Sequence, residues 1–117
     1  MDVYTGDDFY CDVALPRAVP LDVIHEDDSV LVFHHTRPFW DVHIVAVPKK
    51  HIPSLTAAGP GDHEDLEALF LAVQSMARDV EREHGAAAVA TNLGAYQDSK
   101  HLHVHIHSGA RRNAGTS

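Results

Sequence analysis

The chain has 117 residues, a formal net charge of −8, a pI near 5.7 and 44% hydrophobic residues, which suits one soluble globular domain with a single core. The acidic balance excludes a nonspecific nucleic-acid binder, whose mark is a basic stripe and a high pI. Cys11 is the one cysteine, so no intrachain disulfide forms, and no apolar run has the length of a membrane span or a signal-peptide core; a cytoplasmic protein without membrane contact is expected.

One domain is expected over residues 1–117, with flexible ends at 1–7 and 110–117. The acidic and aromatic start leads through Pro16 and Pro20 to Val23-Ile24-His25 and Val30-Leu31-Val32-Phe33, two β-branched runs around the polar Glu26-Asp27-Asp28. That pattern predicts a hairpin. The nearly continuous apolar run His43-Ile44-Val45-Ala46-Val47, closed by Pro48-Lys49-Lys50, predicts a central strand, with Trp40 in the loop before it. Residues 53–61 read as loop, broken by Gly59-Pro60-Gly61.

The period then changes. Leu66, Leu69, Phe70, Val73, Met76, Ala77 and Val80 recur at helical spacing, with charged residues mainly between them, so an amphipathic helix is expected with Asp62 as N-cap and Gly85 as its stop. Residues 87–91 read as a strand and 93–100 as the turn before the chain's most informative segment. There His101, His103, His105 and His107 alternate with Leu102, Val104 and Ile106. Period two places all four imidazoles on one strand face and the aliphatic residues on the other.

A purification tag would be a contiguous run, and serine or lysine would serve a merely solvated face equally well. Imidazole titrates nearest neutrality and suits nucleophilic attack, proton transfer or metal ligation, which all remain open at this point.

The run from His101 to His107 resembles the signature of the histidine triad family. His25 to Phe33 is similar to that family's nucleoside-pocket hairpin, and His43 to Ile52, with its Pro-Lys-Lys-His turn, to its following strand and turn; order and spacing agree from about Phe9 to Gly109. The resemblance implies an α+β, HIT-like fold: an antiparallel sheet of about five strands, one long helix and a short N-terminal helix or turn. It implies a homodimer acting on a purine nucleotide conjugate, such as a phosphoramidate, an aminoacyl adenylate or a dinucleoside polyphosphate. The reaction is cleavage or transfer at the α-phosphorus through a covalent nucleotidyl-histidine, with no catalytic metal required.

Residue by residue, His103 is the expected nucleophile, His101 and His105 contact phosphoryl oxygens or donate protons, and His43 completes a quartet. The overlapping triad His103-His105-His107 is the competing register; Gln97, four residues before His101, favours the first. Asn92, Gln97 and Ser99 are expected at the phosphate, although Asp98 stands where relatives carry serine. His35 falls at the family's acidic ribose-binding position, where it offers one donor and one acceptor. Ile24, Phe33 and His34 are the expected base contacts. Some members hold structural zinc, and the corresponding positions are Asp8, Cys11, His51 and His101, aspartate replacing the usual first cysteine. Asp98 and His35 keep a second class of function in view, a non-catalytic nucleotide- or metal-binding regulatory module.

Overall fold

In the computed structural model, which describes residue 6 and residues 8–112, five strands form one sheet: β1 (Val23–Glu26), β2 (Val30–His34), β3 (Trp40–Pro48), β4 (Ala88–Ala90) and β5 (Val104–Arg111). Their order is β1-β2-β3-β5-β4, and every pairing is antiparallel. Helix α1 (His63–His84) runs between β3 and β4 in the chain. This is the α+β architecture expected.

Local chemistry explains the hairpin. The Asp27 carboxylate accepts the N–H groups of Ser29 and Val30 at 2.8 and 2.9 Å, while the Asp27 N–H donates to the Val30 carbonyl at 3.0 Å. An aspartate holding the backbone of the residues that follow is a strong turn former. From there β2 alternates: Val30 and Val32 face the helix, and Leu31 and Phe33 face the other way.

Each sheet face therefore has its own core. On the helix side Ile44, Ala46, Leu102 and Ile106 meet Leu69, Val73 and Val80 of α1. On the other side Leu31, Phe33, Val45 and Val47 are capped by Tyr10 and Ala14, from a π-helical turn (Tyr10–Ala14) in which the Leu15 N–H reaches the Tyr10 carbonyl at 2.8 Å. Burying each of these valine, leucine, isoleucine and phenylalanine side chains contributes about 1.5–3 kcal/mol. The N-terminal turn covers part of the second face, and the histidines occupy the remainder.

Several boundaries differ from expectation. The histidine strand begins at Val104, so His101 and His103 precede the ladder; Pro48, the last residue of β3, has no N–H to extend it, and the Leu102 N–H turns to the Ile52 carbonyl at 2.7 Å instead. Trp40 opens β3 rather than lying in a loop, and a register shift between Trp40 and Val42 hides that strand from a simple apolar pattern. Ala110 and Arg111, expected in a flexible end, belong to β5, where Arg111 pairs with Trp40; the rest of that expectation, apart from residues 6 and 112, lies outside the described residues. Phe70 is 63% exposed instead of packed, because it projects about 100° around the helix from Leu69, the centre of the buried stripe.

The helix ends are half as expected. Gly85 closes α1 in the left-handed conformation, φ +81°, with its N–H on the Glu81 carbonyl. Asp62 occupies the N-cap position, yet its carboxylate accepts the Gly59 N–H and pairs with Lys50 at 2.6 Å rather than capping the first turn. Gly109, at φ +86°, lets β5 pass the Asp41 side chain, which an added Cβ would approach to 2.7 Å. Among the described residues no helix is long and apolar enough to cross a membrane.

Candidate active site

Two segments carry the histidine cluster: the run entering and forming β5, and the start of β3, held side by side by the pairing of His43 with His107 and Val45 with His105. The rings of His103 and His105 lie 5.0 Å apart, as do those of His43 and His105. His35, just after β2, stacks on His43 at 4.2 Å and 16°.

Backbone partners set the tautomer of each ring. His103 Nδ1 faces the His101 carbonyl at 2.7 Å, so it carries the proton and leaves the Nε2 lone pair free. The Phe39 N–H donates to His43 Nδ1 at 3.0 Å; His43 therefore carries its proton on Nε2 and gives it to His105 Nδ1 at 2.9 Å. His105 in turn presents Nε2–H. The Arg37 N–H donates to His35 Nδ1 at 2.9 Å, which makes His35 a donor as well and removes the acceptor expected of it. The ring atoms of His35, His43 and His105 lie close enough to suggest a metal site. A metal at His35 or His43 Nε2 would require a proton on Nδ1 aimed at an amide N–H, so the trio is a donor array and not a ligand set.

Burial keeps the cluster neutral. It pushes His43 and His105 down to about 3, neighbouring histidines adding to the shift, and His35 to about 4. Burial also lowers His103, against the opposing pull of the His101 carbonyl, so its lone pair is available at neutral pH. Thr91 Oγ1 donates to the His103 carbonyl at 2.8 Å and steadies the backbone there.

The fourth histidine stands apart. His107 stacks on Trp40 at 3.6 Å and 11°, an engagement that favours the His101-His103-His105 register. His101 corrects another expectation. It is fully buried, its Nε2–H donates to the Pro48 carbonyl at 2.8 Å, and its Nδ1 faces Cys11 Sγ and Asp8 Oδ2 at 3.3 and 3.4 Å. With both nitrogens committed, His101 offers His103 its carbonyl and leaves no ring nitrogen for a phosphoryl oxygen.

That Nδ1 belongs to a second cluster. Ligand atoms of Asp8, Cys11, His51 and His101 converge, with Cys11 Sγ 3.5 Å from His51 Nδ1 and Asp8 Oδ2 2.6 Å from it. Zinc bonds of about 2.0–2.3 Å in a tetrahedron separate ligand atoms by about 3.3–3.8 Å, close to most of these spacings. The donor set fits zinc, and the Pro48 carbonyl, accepting from the far nitrogen of His101, fixes the ring's orientation and tautomer as such a ligand needs. Burial and Asp8 raise the Cys11 thiol to about 11. Burial acts to raise the Asp8 carboxyl, but the Cys11 N–H and thiol, with His101 and His51, bring it below the usual range.

The remaining expected residues divide. Gln97 is buried with its amide nitrogen on the Pro53 carbonyl at 2.7 Å, and Ser99 Oγ accepts the Phe9 N–H at 2.9 Å. Asn92 is half-buried just beyond β4, and Asp98 is exposed. The expected base contacts do not assemble. Phe33 is 1% exposed beneath Tyr10, and Ile24 and His34 line a groove with Val42, Ile44, Met76 and Val80 on the helix side, because strand alternation sends His34 opposite to Phe33 and His35. Tyr10 had no assigned role, yet its ring packs 4.8 Å from that of His103. Its aromatic ring in the acidic and aromatic start of the chain was the available signal.

Fold and site define an α+β domain built around a donor-flanked histidine row. The HIT domain family model matches residues 17–112, and the chain belongs to that family. An uncharacterised HIT-like protein of Synechocystis is 38% identical over 94 residues, covering 80% of this chain and 82% of its own. Another, of Chlamydia muridarum, is 36% identical over 93 residues, covering 79% and 74%. Among solved structures, a histidine triad protein from Clostridium difficile superposes with a TM-score of 0.74 at 28% identity over 94% of this chain and 96% of that one. A HIT family hydrolase from Legionella pneumophila shares the fold, with a TM-score of 0.75, 24% identity and coverage of 89% and 94%.

Proposed function

We propose that the protein is a nucleotide hydrolase or nucleotidyl transferase that attacks the α-phosphorus of a purine nucleotide conjugate with His103 Nε2. The observation that carries this reading is the Nδ1–H bond to the His101 carbonyl at 2.7 Å, which aims a neutral lone pair outward next to the His105 donor. Attack forms the Nε2–P bond and breaks the bond to the leaving group, which departs with the electron pair and takes a proton from water. The His101 carbonyl stabilises the imidazolium that results, and His105 Nε2–H bonds a phosphoryl oxygen as charge develops there. Water then attacks phosphorus, the N–P bond breaks, the electron pair returns to Nε2, and nucleoside monophosphate leaves with release of a proton.

Two further assignments belong to this reading. Zinc at Asp8, Cys11, His51 and His101 would tie the N-terminal segment to the His101 backbone and supply structure, not chemistry. Homodimerisation is supported by the exposed edge strand β4 with Val89 and by the outward Phe70 of α1, 49% and 63% exposed.

The test is release of AMP from adenosine phosphoramidate and from a dinucleoside polyphosphate. Turnover that falls by at least about a thousandfold in His103→Ala supports the proposal. Binding without turnover in the unsubstituted protein overturns it in favour of a regulatory module.

A further inference from the structure

The chain carries 17 acidic side chains against nine basic ones, and Arg17, Lys49, Lys50 and Arg82 pair with carboxylates. Of the other five, Arg37, Arg111 and Arg112 come from the segments that border one end of the histidine face, where the Arg112 guanidinium reaches the Asp41 carbonyl at 3.5 Å. Arg111 lies opposite Trp40 across β3 and β5, its guanidinium carbon 5.8 Å from the centre of the indole ring. That indole stacks on His107 and meets the His43 ring at 5.0 Å, so Arg111 is anchored beside the cluster. Arg37 gives its backbone N–H to His35, and Arg112 gives its own to the Phe39 carbonyl at 2.6 Å. Among the described residues none of the three arginines forms an ion pair; the nearby Asp41 carboxylate accepts the Ala110 N–H at 3.0 Å.

The hydrogen-bond polarity at this end has the same sense as the charge. His35 and His105 both present Nε2–H, their ring centres are 5.9 Å apart, and their Nδ1 atoms are consumed by Arg37 and His43. Donors and guanidinium groups with no acceptor among them do not complement a hydroxyl pair seeking acceptors. They complement anionic oxygen. In a chain of net charge −8, such a patch opposes the overall field and concentrates an anion locally.

We propose that His35, Arg111 and Arg37 form a second anion subsite beside His103, which binds a further phosphate of the nucleotide substrate in addition to the one attacked. The proposal rests on the function proposed above. Trp40, in contact with both His107 and Arg111, is the platform that positions the guanidinium, and this gives the fourth histidine a structural task. The further phosphate has two sources of identical chemistry: the leaving group of a polyphosphate, or the 3′ oxygen of the sugar.

The experiment is calorimetric titration of the full chain, both unsubstituted and as His103→Ala, with AMP, ADP and adenosine 3′,5′-bisphosphate. ADP or the bisphosphate is expected to bind about tenfold or more tightly than AMP. A gain with ADP marks the leaving-group source, and a gain with the bisphosphate marks the sugar. The gain disappears in Arg111→Gln and in His35→Phe, which keeps an aromatic ring against His43, and survives in Arg78→Gln on α1. Equal affinity for all three nucleotides, a gain that persists in both site variants, or an equal loss in Arg78→Gln overturns the subsite. Failure of His103 to become nucleotidylated overturns the proposed function separately, because affinities are read without turnover; no binding of any nucleotide overturns both.

Discussion

Replacing His43 with leucine tests how the donor array is built. His43 is 2% exposed and makes two hydrogen bonds, from the Phe39 N–H and to His105 Nδ1. Leucine fills similar space but strands both partners. An unpaired, partly buried N–H costs about 1–3 kcal/mol and the second lost bond about 1 kcal/mol more, for a total of about 2–4 kcal/mol. For a domain of this size that lowers the melting temperature by about 8–16 °C. The kinetic effect is indirect: His105 loses the bond that keeps its proton on Nε2, and kcat falls by about 10–100-fold with KM little changed. The assay is a double-mutant cycle with His105→Ala, reading kcat at saturating adenosine phosphoramidate. Because His43 acts through His105, adding His43→Leu to His105→Ala costs less than about threefold further. Two losses that multiply would refute the relay.

Acid stability follows from the same rings. His35, His43 and His105 sit at about 4, 3 and 3 in the fold, against about 6.5 in the unfolded chain, so below pH 6.5 the unfolded state binds protons that the fold excludes. Stability is therefore fullest above pH 6.5 and declines as pH falls toward 4, by about 1.4 kcal/mol per pH unit for each excluded histidine. Urea midpoints that stay constant from pH 6.5 to 4.5 would contradict this. Elemental analysis of untagged protein is expected to find about one zinc per chain, and Cys11→Ala is expected to lower it sharply; a fully folded, metal-free preparation refutes the zinc assignment. Light scattering is expected to give twice the 12.8 kDa chain mass, reduced in a Val89→Glu, Phe70→Glu variant, and a monomeric mass for the unsubstituted chain counts against the dimer.

The fold was legible wherever one period dominated. Alternation on β2 and the 3.6-residue stripe of α1 each reflect one buried face, and the left-handed stop at Gly85 needs a residue without a side chain. Legibility failed where a hydrogen-bond partner comes from elsewhere in the chain. Nothing local to His101 shows that the Pro48 carbonyl and the Cys11 thiol take both of its nitrogens, and nothing local to His35 shows that Arg37 consumes its acceptor. The base-contact expectation failed for a different reason: adjacent strand residues were read as one patch, although Phe33 and His34 lie on opposite faces of the sheet. Trp40 was hidden because a register shift breaks the alternation at that point.

The central claim is that His103 is the covalent nucleophile. Rapid quenching of the protein with adenosine phosphoramidate, followed by peptide mass spectrometry, is expected to show an adenylyl adduct on His103 that forms and decays at rates matching turnover. It should be absent in His103→Ala and retained in His107→Ala. An adduct on His105, or steady turnover with no adduct on any histidine, would contradict that claim.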